Sequence, residues 1–275
     1  MFLSLVLVFL FFLNSENLYA QKNFHGSAAQ INKIYNYQKL QNRSVEKKLR
    51  INPKKPWNGH FSAINFSAPE EKIKLMEIKK ALRSIILSLP AAHTEVLKKL
   101  EVRNGKNIKI KNYTPRGISD SRQIILNVNL IKNTQELIAI MVHEMGHIID
   151  MGFFQGKNKK ISNFWDNKTP IYTDDKSLDF YNISWVNSYK IKPNISRADF
   201  VSGYSMTDCF EDFAESYIFY RLHGEKFRVL MQDSEILRKK YFFLKNNVFA
   251  HKEFQLDKKI NKVQKNIWDA TLLDF

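Results

Sequence analysis

The amino-acid sequence predicts an α+β fold, mainly helical, in which a small sheet places an edge strand just ahead of a buried helix carrying two histidines and a glutamate. Three observations lead there. Apolar residues recur at helical spacing behind capping signals near residues 67 and 133, and again in a block from residue 208. Two short stretches, Ile108–Lys111 and Gln123–Val128, alternate or concentrate β-branched and aliphatic residues, with a Pro/Gly/Ser/Asp-rich segment between them. The chain also holds 44% apolar residues in 275, enough to fill a core, so disorder is not the expectation.

At the start, Phe2 to Leu13 is apolar apart from Ser4 and leads to a small residue at Ala20. A bilayer-spanning helix needs about twenty apolar residues. The pattern therefore predicts a signal peptide over residues 1–20, cleaved after Ala20, and a secreted or periplasmic protein with no transmembrane helix in the mature chain. Residues 21–65 are polar and Lys/Asn-rich, broken at Pro53 and Pro56, and read as an N-terminal extension. The main domain is expected over residues 66–250, and residues 251–275 form a C-terminal tail. Cys209 is the single cysteine, so an internal disulfide is excluded, and the residue reads as a small buried hydrophobe.

Within the main domain, Ser67-Ala68-Pro69-Glu70 has the form of a capping box. Ile73, Met76, Ile78, Ala81, Ile85 and Leu87 then continue a helix that must stop by Pro90. The strand candidate Gln123–Val128 directly precedes Asn133-Thr134-Gln135-Glu136, a second capping signal, which opens a long apolar helix reaching about Gly152. From Phe153 to Ala198 the pattern is irregular, as in a long functional or mobile connection, and Phe180, Tyr181 and Trp185 in it are expected in the core. Further helical blocks are expected over Asp208–His223 and Glu225–Asn246.

Lys and Arg outnumber Asp and Glu by 43 to 27, and the basic residues are spread along the whole chain. A diffuse positive field favours anionic surroundings such as nucleic acid, lipid headgroups or an acidic cell-envelope polymer, without choosing among them. No specific nucleic-acid partner is expected, and a solvated lysine-rich surface is the simpler explanation.

The chemistry concentrates in the second helix. His143 and His147 are four residues apart, so their imidazoles lie about 40° apart around a helix and one turn along it, able to address one ion. Glu144 falls beside the place where such an ion leaves room for water, suited to proton transfer. Leu137, Ile138, Met141, Val142, Met145 and Ile148 make this a buried helix, where three polar groups are costly unless satisfied. A third ligand is needed. A histidine six residues beyond His147 is absent, since Phe153 stands there and Asp150 occupies the intermediate glycine position, which excludes the metzincin pattern. The acidic candidates are Glu211-Asp212-Phe213-Ala214-Glu215. Glu211 and Glu215 share one helix face, so one can bind metal while the other accepts a proton from a ligand histidine, and spacing leaves the order open. Asp150, seven residues after His143, is on the same face and within reach of an imidazole. His25, His60, His93, His223 and His251 show no ligand spacing.

His143-Glu144-Met145-Gly146-His147-Ile148-Ile149-Asp150, followed by Tyr204 and Glu211-Asp212-Phe213-Ala214-Glu215, resembles the gluzincin metallopeptidase family that includes the zinc domain of anthrax lethal factor and the bacterial Pro-Pro endopeptidases. The resemblance covers about Ile108 to Phe249. It implies one catalytic Zn2+ on His143, His147 and Glu211, a general base at Glu144 and an oxyanion donor at Tyr204. It also implies Glu215 and Asp150 supporting the ligand imidazoles from behind. The expected function is that of an exported zinc-dependent endopeptidase acting on a protein or peptide substrate. Two other readings use the same residues: a metal-dependent amidase or peptidase on a cell-envelope polymer, and a non-catalytic basic binding protein with a structural zinc site.

Overall fold

A computed structural model describes residues 59–63, 69–103, 113–254 and 267–275. The first strand, β1 (His60–Ala63), is followed by the long helix α1 (Pro69–Ser88) and the short α2 (Ala91–Val96), which return the chain to β2 (Lys99–Arg103) parallel to β1. After β3 (Gly117–Ser119) the chain reverses into β4 (Gln123–Asn127), giving the order β1-β2-β4-β3 with β3 alone antiparallel. Strand β2 alternates strictly, Leu100 and Val102 being fully buried between half-buried neighbours, and Ile124 and Leu126 repeat the pattern on β4. These side chains meet Leu82, Ile85 and Ile86 of α1 and the apolar face of α3 (Thr134–Ile148). Each such aliphatic residue contributes roughly 1.5–3 kcal/mol by leaving water.

Helix α3 opens as its capping signal predicts, the Asn133 side chain accepting from the Glu136 backbone N–H, and continues through a wider π-type turn, Ile149–Phe153. It packs along α5 (Cys209–Leu222), whose N-cap Asp208 accepts from Phe210 and Glu211. The two helices approach closely because residue 146 is glycine. A Cβ there would stand 2.7 Å from the Ala214 Cα. That closeness brings the histidines of one helix to the glutamates of the other.

Several expectations need correction. Strand β4 is not an edge: it lies between β2 and β3, and among the described residues the exposed edge beside α3 is β3. The stretch from 153 to 198 is largely ordered into the antiparallel pair β5 (Ile161–Asp166) and β6 (Thr169–Tyr172), helix α4 (Ser177–Ser184), and the small pair β7 (Trp185–Asn187) and β8 (Lys190–Ile191). The β5–β6 turn places Asn167 at φ 52°, an Asn in place of the more telling glycine. The expected single helix over 225–246 is split into α6 (Gly224–Leu230) and α7 (Glu235–Phe243), because Ser234 caps a fresh start by accepting from the Leu237 N–H. Residues 267–275, read as tail, pack against the core with Ile267, Ala270 and Phe275 buried.

Phe180, Tyr181 and Trp185 are core residues, and Phe180, Phe213, Phe243 and Phe154 form an edge-to-face aromatic cluster. Cys209 is buried and unpaired. Among the described residues, no helix is long and apolar enough to cross a membrane. The expected signal peptide, the bulk of the N-terminal extension, Ser67 and the Ile108–Lys111 strand lie outside the described residues.

Candidate metal centre

Three side chains from two helices converge where α3 crosses α5. Glu211 Oε2 lies 3.1 Å from His143 Nε2 and 3.4 Å from His147 Nε2, and the ligand atoms of the three residues fall within 4.8 Å of one another. Donors on a tetrahedral zinc at its usual bond lengths stand about 3.3 Å apart. The fit can be tested on the atoms themselves. His143 Nδ1 is 3.0 Å from Glu215 Oε1. A carboxylate can only accept, so Nδ1 carries a proton and Nε2 turns a lone pair toward Glu211. Glu211 Oε2 is buried and has no aligned hydrogen-bond donor. A carboxylate oxygen facing imidazole lone pairs in a water-poor site is repulsive unless a cation or extra protons lie between them. The residues present therefore fit a divalent ion, and His143, His147 and Glu211 could hold one.

Without an ion, protons take that role. Burial works against charged imidazoles, but hydrogen bonds to Glu211 and Glu215 outweigh it and raise His143 well above its ordinary value. His147 is raised too, burial being overcome by the charge of Glu211. Burial pushes the Glu211 carboxyl up, yet His147 and His143 more than reverse this and hold it below the usual carboxylate range.

Glu144 does not join the cluster. Its Oε2 accepts a 2.6 Å hydrogen bond from the Ser119 hydroxyl on β3. Its carboxylate lies so close to that strand that a Cβ on Gly117 would stand 2.5 Å from Oε1. The edge strand thus holds the carboxylate beside, but off, the ligand set. Tyr204, in a short 3-10 turn (Tyr204–Met206), donates its hydroxyl to Glu211 Oε1 at 2.9 Å, and its ring stacks on His143 with centroids 6.0 Å apart. Glu215 is fully buried, and its Oε2 accepts the Ala270 backbone N–H at 2.9 Å. Asp150, expected behind a ligand imidazole, makes no hydrogen bond to one. Its Oδ1 accepts from the Tyr181 hydroxyl at 2.6 Å and its Oδ2 has no hydrogen-bond partner. Burial first, against hydrogen bonds from Ser177 and Tyr181, pushes Asp150 up to about 8. The Asp150 carboxyl is engaged instead by the Tyr181 hydroxyl of α4, a partner brought in by tertiary packing.

Sequence reasoning missed Ser119, Gly117, Arg116 and Ala270. Ser119 and Gly117 stand in a segment that reads as a loop, and Ala270 acts through its backbone, which no side-chain motif can signal. His93 and His223 stay outside the site, His93 being held between the Tyr217 hydroxyl at 2.8 Å and the Val248 carbonyl at 2.7 Å.

The arrangement defines a three-ligand candidate metal centre with a separate carboxylate beside it. No protein-family model matches the chain, and no curated protein matches it.

Proposed function

We propose that the protein is a zinc-dependent endopeptidase, with His143, His147 and Glu211 as ligands and Glu144 as general base. One observation carries the reading: a buried carboxylate is held against an exposed sheet edge next to a ligand set that stops at three. A structural zinc site closes with four protein ligands, whereas catalytic sites keep a position open. Among the described residues the cluster has three. The motif spacing that resembles the gluzincin peptidases supports the same roles.

A bound divalent ion supplies Lewis acidity toward a peptide carbonyl and makes water easier to deprotonate. Glu144 then removes a proton from water and passes it to the leaving amine, with Ser119 keeping its carboxylate in one orientation. The Tyr204 hydroxyl, resting on Glu211, turns to donate to the carbonyl oxygen as charge builds there. Strand β3 offers an extended peptide the open backbone groups of a sheet edge. It is the edge strand beside the histidine helix that the sequence places at Gln123–Val128.

Digestion of a peptide library with and without chelator, together with zinc stoichiometry, tests this. Glu144→Gln should keep its zinc and lose at least about a hundredfold in cleavage rate. Cleavage by that variant at the unsubstituted rate would rule the mechanism out.

A further inference from the structure

The segment 267–275 reaches the candidate centre by hydrogen bonds to the groups that carry its chemistry. The Ile267 carbonyl accepts from Gly203 N–H at 2.7 Å and from Arg197 Nη2 at 2.8 Å. The Trp268 carbonyl accepts from Tyr204 N–H at 2.7 Å, so the turn presenting Tyr204 hangs from this segment. Asp269 pairs with Arg116, whose other nitrogen reaches Glu136 in the first turn of α3 at 2.6 Å. One residue further, the Ala270 N–H donates to Glu215 Oε2, while Glu215 Oε1 holds His143 Nδ1. Ala270 and Glu215 are both fully buried, so water cannot replace that donor.

We infer that residues 267–275 are a positioning element of the metal centre, and that the Ala270 backbone N–H tunes zinc affinity by fixing the Glu215 carboxylate that orients His143. This rests on the zinc-ligand reading above. A segment that merely covered apolar surface would meet the site through side chains. Here the decisive contact is a single main-chain donor aimed at a buried carboxylate, and partners behind a ligand imidazole change metal affinity by about 10–100-fold.

A proline can delete that donor with little other change. Ala270 is the first residue of a 3-10 turn (Ala270–Leu272), where the N–H is not used within the turn and a fixed proline φ is tolerated. Asp269 before it has φ −137° and ψ 120°, the extended conformation that a following proline requires. Zinc affinity of the full chain is measured by competition with a chromophoric chelator. Ala270→Pro is expected to bind zinc about tenfold more weakly, whereas Ala270→Gly, which keeps the N–H, stays within about twofold of the unsubstituted protein. In a Glu215→Gln background the proline substitution should cost under about twofold, since the two changes interrupt one chain of contacts. General loosening of the fold would instead add to the Glu215→Gln effect.

If Ala270→Pro does not accumulate as folded protein, Thr271→Val takes its place. It removes the 2.9 Å bond from Arg116 to Thr271 Oγ1 and should weaken zinc binding about threefold by loosening the segment. Equal zinc affinity in the Ala270→Pro and unsubstituted proteins, or full additivity with Glu215→Gln, overturns the inference and leaves the zinc-ligand reading standing. An unsubstituted protein that binds no zinc removes both.

Discussion

Glu211 and Asp212 are neighbours on α5, about 100° apart around the helix axis, and the protein treats their charges in opposite ways. Asp212 is fully buried, and each of its oxygens has a partner: Lys240 Nζ at 2.8 Å and the Trp185 indole N–H at 2.9 Å on one, Lys240 again at 2.9 Å on the other. Lys240 is equally closed in, donating also to the Asp199 carbonyl at 3.1 Å and lying 4.0 Å over the Phe200 ring. Burial pushes the Asp212 carboxyl up against the pull of Lys240, and pushes Lys240 down against the pull of Asp212. Glu211, one residue back, turns an oxygen without a donor toward two imidazoles. A closed ion network is architecture. A cluster with one buried atom left over is a place for something else, and it is also the more open of the two, Glu211 and His147 keeping about a fifth of their side-chain exposure where Asp212 and Lys240 keep none.

The comparison breaks if the two acids respond alike to losing their surroundings. Glu211→Ala should reduce zinc affinity by about a thousandfold, one ligand's share of a typical site, as read by calorimetry. The thermal midpoint of the metal-free protein should fall less than in Lys240→Met, because the imidazoles left behind can deprotonate and only the stability tied to their raised protonation is lost. Lys240→Met should do the reverse. It strands a buried carboxylate, with an expected loss of about 3–4 kcal/mol in chemical denaturation, while the folded protein keeps its zinc affinity. Collapse of zinc binding in Lys240→Met would mean that the two networks are one.

Acidity sharpens the contrast further. His143 and His147 are both raised in the metal-free protein, so the folded state holds more protons than the unfolded chain above the ordinary imidazole value of about 6.5. Their contribution to stability is therefore fully present below that value and is lost as pH rises through the raised one. The metal-free thermal midpoint should fall across this window, and zinc should restore it. Zinc must displace the same protons, so its affinity should climb with pH by about tenfold per unit for each imidazole still protonated. An affinity flat from pH 6 to 8 would show that the histidines do not bind the ion.

The parts of this architecture that were legible in the sequence are those written in local chemistry. The Asn133 cap opens α3 where its spacing predicts, and α5 begins at Cys209, where the helical block from Asp208 is expected. The placement of His143, His147, Glu211 and Glu215 on facing surfaces follows from helical periodicity. What resisted reading depends on contacts far apart in the chain. That β4 is interior follows from its pairing with β2 on one side and β3 on the other, which its apolar run does not encode. Asp150 is engaged by the Tyr181 hydroxyl, 31 residues further along the chain, a partner that helical spacing does not announce. The contribution of Ala270 lies in a backbone donor 55 residues beyond the carboxylate it serves, and no composition or spacing announces it.

Ser119 carries the smallest expected effect, and it tests whether the edge strand is part of the chemistry. Its hydroxyl occupies Glu144 Oε2 at 2.6 Å, and Glu144 is not one of the three residues whose ligand atoms converge. Ser119→Ala should therefore leave zinc affinity unchanged and lower the rate of peptide cleavage about three- to tenfold, the net worth of a typical single hydrogen bond of about 0.5–1.5 kcal/mol. Chelator-controlled turnover alongside a zinc titration separates the two quantities. A fall in zinc affinity with unchanged turnover would invert the assignment: Glu144 would then belong with the ligands, and the distinction between a closed network and an open site would have to be redrawn one helix turn earlier.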